Sequence, residues 1–182
     1  RAAVHSAPAA SGGGGAGAGA GGNGAVAGTG SGGGGGVPTP SLSTIEVTAT
    51  TEKCQIKSKD YNNAEYLSFL YSDSGGVSGT APVGGGATVT GTPPPNTVSL
   101  IHNHPVNVYA GGNPNSTAGI INRSPSTTDW TTYNSLINQG LQMQGQFIIG
   151  PDGVLRYFNG SNQNAYPQSN LPTGDVVNGG GC

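Results

Sequence analysis

The chain is poor in charge. Only 8% of its 182 residues are Asp, Glu, Lys or Arg, and the formal net charge is −2. Six Lys and Arg against eight Asp and Glu leave no basic footprint, so a surface built on nucleic-acid phosphate contacts is not expected. No apolar run approaches the ~20 residues needed to span a bilayer, and no signal peptide is visible. The first residue is Arg1 rather than Met. We therefore expect a processed product or an excised piece, with any targeting information upstream. Cysteine is scarce as well. Cys54 and Cys182 allow at most one disulfide, which would close most of the domain, and two free thiols are equally consistent with the sequence.

What is abundant is glycine, at 35 residues. It makes up most of residues 12–36, and from Ala2 to Ile45 there is no Asp, Glu, Lys or Arg. Such a segment cannot bury enough apolar surface to offset its ordering entropy. Residues 1–42 therefore read as a disordered, flexible Gly-rich tether, stiffened near its end by Val37-Pro38-Thr39-Pro40. A domain follows over 43–177, then a flexible tail over 178–182. A long tether implies a parent polypeptide upstream, with the folded part as its cargo.

Within the domain, Ile45 to Ile56 alternates loosely and is expected to be a strand. Glu65 to Tyr71 is rich in aromatic and aliphatic residues and reads as a buried strand, ended by the turn chemistry of Asp73-Ser74-Gly75-Gly76. Ala87 to Thr90 and Thr97 to Ile101 are further strands. Val106 to Ser124 is polar, without periodicity, and is expected to be a long loop. Ser126 is a good N-cap for a helix whose apolar face is Trp130, Tyr133 and Ile137, with Leu136 beside them, and which Gly140 stops. Residues 146–149 and 154–158, joined through Pro151-Asp152-Gly153, form a hairpin. The sum is an α/β domain dominated by its sheet.

Histidine is the scarce residue that carries chemistry. There are three, and His102 and His104 stand one residue apart at the end of an expected strand. Alternate strand residues share a face, so both imidazoles would point at one ion. Asp129, at the third position of the expected helix, would supply a third ligand, giving a His₂Asp set with one open position that suits Zn²⁺. The only glutamates are Glu46, Glu52 and Glu65. Glu65 opens the most apolar strand and is the one expected in a dry, ordered place, where it could act as general acid and base. Each element also has a plainer meaning: His-x-His as a hydrogen-bonded pair, Ser-x-x-Asp as a helix cap, Glu65 as a strand flank.

Taken together, Glu65, His102-Asn103-His104-Pro105 and Ser126-x-x-Asp129 resemble the motif of the JAMM (MPN) metalloprotease family. They look most like the JAB-like domains at the C-terminal ends of bacterial Rhs and other polymorphic-toxin proteins. The resemblance runs from about Asn63 to Phe158. It implies a mixed β-sheet with flanking helices, and zinc held by His102, His104 and Asp129. It further implies Glu65 as general acid/base and Ser126 positioning water or stabilising an oxyanion. The reaction implied is hydrolysis of a peptide or isopeptide amide. The implied partners are a protein or peptide substrate, the parent polypeptide and a cognate immunity protein, and the implied setting is a secreted or delivered effector. Two features depart from the family. Val106 to Pro125 is a longer separation than usual, which would place an insertion over the cleft as a lid or substrate-selecting loop. A helix preceding the His pair is not evident.

Two other function classes remain in view. One is a non-catalytic binding or structural module on the same fold, as in a phage tail or secretion apparatus. The other is a zinc deaminase, which ranks low because Pro-Cys-x-x-Cys is absent.

Overall fold

In the computed structural model the described residues are 4–6, 38–159, 174–178 and 181–182. The stretch expected to be a tether, 1–42, lies outside them apart from a short strand β1 (Val4–Ser6) and residues 38–42, the last of which begins the first helix. The fold is α/β: a mixed sheet with helices on both faces.

The first helix, α1 (Leu42–Lys57), overturns the expected strand. Its buried residues are Ile45, Ala49, Glu52 and Ile56, spaced by four, three and four. That is the period of one helix face, not of a strand. Ser41 caps it, its hydroxyl accepting the Thr44 amide at 3.3 Å. The buried carboxylate at the third of these positions accepts hydrogen bonds from Ser68 Oγ at 3.0 Å and Gln55 Nε2 at 2.7 Å.

The strand expected from Glu65 is β2 (Glu65–Asp73), and it is buried because both its faces are covered. β3 (Gly76–Gly79) and β4 (Val83–Gly86) pair with its two halves. β5 (Val89–Gly91) matches the strand expected near Thr88 and runs parallel to β1. β6 (Thr97–Asn103) is buried throughout. The long stretch after it is not a plain loop: it holds α2 (Val106–Tyr109) and α3 (Thr117–Ile121). The expected helix is α4 (Thr127–Asn138), and the hairpin is β7 (Gln146–Ile149) with β8 (Leu155–Phe158). β9 (Asp175–Val176) closes one edge. On α4 the buried residues are Asp129, Trp130, Thr132, Tyr133 and Leu136; Ile137 is 43% exposed, so Leu136 takes the core position expected of it. Gly140, at φ 87°, follows the helix end as expected.

The larger sheet runs β3-β2-β6-β7-β8-β9, with β4 also on β2. Among the described residues, only β6 and β7 are parallel neighbours in it. Their connection contains α2, α3 and α4, and α4 packs on one face. Alternation along the strands builds two cores. Leu70, Ile101, Phe147 and Ile149 meet Ile45, Ala49 and Ile56 of α1. On the opposite face Leu67, Phe69 and Leu100 meet Leu136 of α4, and Ile148 and Phe158 meet Trp130 and Tyr133. A disulfide joins Cys54 on α1 to Cys182, with Cα atoms 5.3 Å apart, which settles the pairing left open by the sequence. No helix among the described residues is long and apolar enough to cross a membrane.

Candidate metal centre

Antiparallel register places Leu67 opposite His102. Directly opposed residues share a face, and so do residues two apart. Glu65, Leu67, Leu100 and His102 therefore all face α4. His104 follows just past the strand end, where its amide donates to the Ile149 carbonyl at 2.9 Å. α4 brings the third group. Ser126 and Asp129 form a reciprocal capping box: the Ser126 hydroxyl accepts the Asp129 amide at 3.2 Å, and Asp129 Oδ2 accepts the Ser126 amide at 2.6 Å. The cap thus fixes the carboxylate as well as the helix start.

The result is a compact triangle. His102 Nε2 and His104 Nε2 are 3.1 Å apart. His102 Nε2 lies 3.4 Å from Asp129 Oδ1, and His104 Nε2 lies 3.4 Å from Asp129 Oδ2. Ligand atoms bonded tetrahedrally to zinc at about 2.0–2.1 Å are separated by about 3.3 Å, so this donor set fits such an ion. All three residues are buried, and together they could hold a metal ion.

Hydrogen bonding prepares one imidazole for this task. His104 Nδ1 donates to the Asn122 carbonyl at 2.7 Å, which leaves Nε2 as the lone-pair nitrogen of the neutral ring. His102 Nδ1, also buried, has no hydrogen-bond partner among the described residues.

Electrostatics follow the geometry. Burial opposes the Asp129 charge, but the two imidazoles outweigh it and hold the carboxyl well below the usual range. Burial also opposes a charge on His104. Its hydrogen bond to Asp129 and the charges of Asp129 and Glu65 prevail and raise it. Glu65 is raised chiefly by burial, against the pull of His102 and His104. Its Oε1 accepts the Tyr109 hydroxyl at 3.1 Å, and its Oε2 is buried with no hydrogen-bond partner among the described residues. Gly84 permits this placement. A Cβ there would stand 2.0 Å from the Glu65 carbonyl oxygen, so only glycine lets β4 close on that end of β2.

All five sequence-predicted residues thus gather at one end of the sheet: Glu65, His102 and His104 from two strands, Ser126 and Asp129 from one helix start. Three contributors escaped the sequence reading. Asn103 points to the other face, where Nδ2 donates to the carbonyls of Tyr61 at 2.7 Å and Ala64 at 3.0 Å, and Oδ1 accepts the Tyr66 amide at 2.7 Å. It ties the His pair to the strand start that carries Glu65. Its position between two strand histidines was the available signal. Tyr109 and the Asn122 carbonyl come from the inserted segment, and no local pattern marks either.

Comparison with protein-family models, with curated proteins and with solved structures gave no match. The reading of the site rests on the chain's own residues.

Proposed function

We propose that the domain is a zinc-dependent peptidase or isopeptidase of the JAMM type. The observation that carries this reading is the buried His102–His104–Asp129 triangle with Glu65 held beside it. The order of Glu65, His102-x-His104-Pro105 and Ser126-x-x-Asp129 supports the family assignment, with the separation between Pro105 and Ser126 as its departure. His102, His104 and Asp129 would hold the ion. A bound zinc ion supplies Lewis acidity and brings the pKa of water near neutrality.

The protein's own groups do the rest. Glu65 Oε2, buried and without a hydrogen-bond partner among the described residues, is the atom placed to take a proton and return it to the leaving amine. The Ser126 hydroxyl accepts the Asp129 amide, so its own proton remains to be donated toward a developing oxyanion. Burial keeps these charges strong by excluding water. We place the domain in a larger, exported bacterial polypeptide, as a toxin or processing module. The Cys54–Cys182 disulfide supports an oxidising compartment.

The test compares wild type with Glu65→Gln, both loaded with zinc, on a mass-spectrometric panel of peptides and lysine-linked isopeptides. Wild type should cleave members of the panel. Glu65→Gln should keep its zinc and its fold and cleave none. Equal cleavage by both would remove Glu65 from the mechanism. Zinc binding without cleavage by either would favour a non-catalytic module.

A further inference from the structure

The groups assigned to hydrolysis are closed off. His102 is 0% exposed, Glu65 1%, Asp129 2% and His104 5%. A polypeptide substrate cannot reach them in this conformation. The inserted segment between Pro105 and Ser126 lies against Glu65 and His104, and its packing is unusual for a covering element. α2 buries no residue, and α3 buries only Gly119. Val108 and Ile120, two of its large apolar residues, are 45% and 53% exposed.

Polar contacts hold the segment instead, and they differ at its two ends. At the far end the Asn122 carbonyl binds His104, and Arg123 Nε lies 3.1 Å from Asp152 Oδ2 in the β7–β8 turn. At the near end the Tyr109 hydroxyl sits 3.1 Å from Glu65 Oε1 and 3.2 Å from the Ala87 carbonyl oxygen. Its ring lies 5.6 Å from that of His104. Asn107 adds two contacts to the loop before β2, from its amide to the Asn62 carbonyl at 3.0 Å and from Nδ2 to Asn63 Oδ1 at 2.7 Å. Gly111 and Gly112, at φ 57° and 79°, separate the two ends.

We propose that the 106–124 insertion is a closed lid, anchored at Asn122 and Arg123, and that Tyr109 is its latch. The need for a lid rests on the hydrolase reading above; the latch itself does not. Opening at α2 exchanges a few polar contacts for water and exposes little of the core, namely Ala110 and the half-buried Tyr109, so it costs far less than unfolding. It also breaks the 3.3 Å bond from Asn122 Nδ2 to the Tyr109 carbonyl, but Asn122 Nδ2 keeps the Ala118 carbonyl at 2.8 Å and the Asn122 carbonyl keeps His104, so that imidazole stays oriented while the Tyr109–Glu65 bond breaks. Substrate binding would supply the displacement, by competing for the Glu65 oxygen and the surface that Tyr109 covers.

The experiment uses the whole chain as wild type, Tyr109→Phe and Asn107→Ala. Amide hydrogen exchange of 106–112 is compared with that of β6 in the metal-free proteins. In parallel, Co²⁺-loaded samples are mixed with a chelator. Removing the hydroxyl should speed exchange across 106–112 and metal release by roughly ten-fold. The Co²⁺ absorption bands and the β6 exchange should not change. Asn107→Ala, which leaves the Glu65 contact intact, should speed exchange in the same stretch. Unchanged exchange in both variants would overturn the latch, and so would acceleration that extends equally into β6. If wild type takes up no Co²⁺, the hydrolase reading fails, while the exchange comparison still decides the latch.

Discussion

His104 Nδ1 donates to the carbonyl oxygen of Asn122 at 2.7 Å, and this one contact fixes which nitrogen of the ring faces Asp129. The donor atom is set by the strand β6, the acceptor by a segment inserted before α4. In metal-free protein near neutrality, nitrogen-15 spectra should report His104 as the Nδ1–H tautomer when the ring is neutral.

The same cluster dictates the pH dependence of metal-free stability. His104 is raised above its ordinary 6.5, so its contribution is complete below that value and is lost as pH rises through the raised one. Glu65 is raised above 4.5 and acts in the same direction. Asp129 is lowered from 3.8, so its contribution is present above that value and is lost as pH falls through the lowered one. Metal-free protein should therefore unfold at a higher temperature at about pH 5 than at about pH 8. Zinc requires the deprotonated ring, so added zinc should stabilise more at the higher pH. Thermal scans with chelator and with zinc check both signs.

Asn103→Ala should cost about 3 kcal/mol, because it strips partners from the Tyr66 amide and from the Tyr61 and Ala64 carbonyls in a buried place. Urea denaturation measures this. Zinc affinity should fall with it, since Asn103 sets the spacing between β6 and the Glu65 end of β2.

Ser126→Ala should cost about 1 kcal/mol as a lost N-cap, and should weaken zinc binding by loosening Asp129. Ser126→Asn restores a capping oxygen and should recover both. If the Asn variant regains stability without regaining affinity, the cap is not what positions the carboxylate.

Reduction of the Cys54–Cys182 disulfide, which spans a sequence separation of 128, should lower stability by about 3–5 kcal/mol in denaturant titrations. Zinc stoichiometry should survive it. Cys54 lies on α1, and that helix packs on the sheet face opposite the His pair.

The site was more legible in the sequence than the fold around it. Its residues sit where local rules are strong: a strand end for His102 and His104, a capping box for Ser126 and Asp129. α1 was misread because Thr44, Thr48, Thr50 and Thr51 weaken its helical propensity, and because its buried face contains Glu52 where an apolar residue would have revealed the period. The hydroxyls of Thr48, Thr50 and Thr51 turn back onto the helix, as Thr50 Oγ1 does to the Glu46 carbonyl at 2.9 Å. α2 and α3, at four and five residues, are too short to show a period at all. Tyr109 reaches Glu65 across a sequence separation of 44, a contact made by tertiary packing alone.

The most direct measurement is metal content and zinc titration of purified, folded protein beside His102→Ala/His104→Ala and Asp129→Ala. One equivalent of zinc should bind the wild type, and the variants should lose it together with the zinc-dependent gain in melting temperature. A folded wild type that binds no stoichiometric zinc, or variants that bind it as well as the wild type does, would contradict the metal centre and the hydrolase built on it.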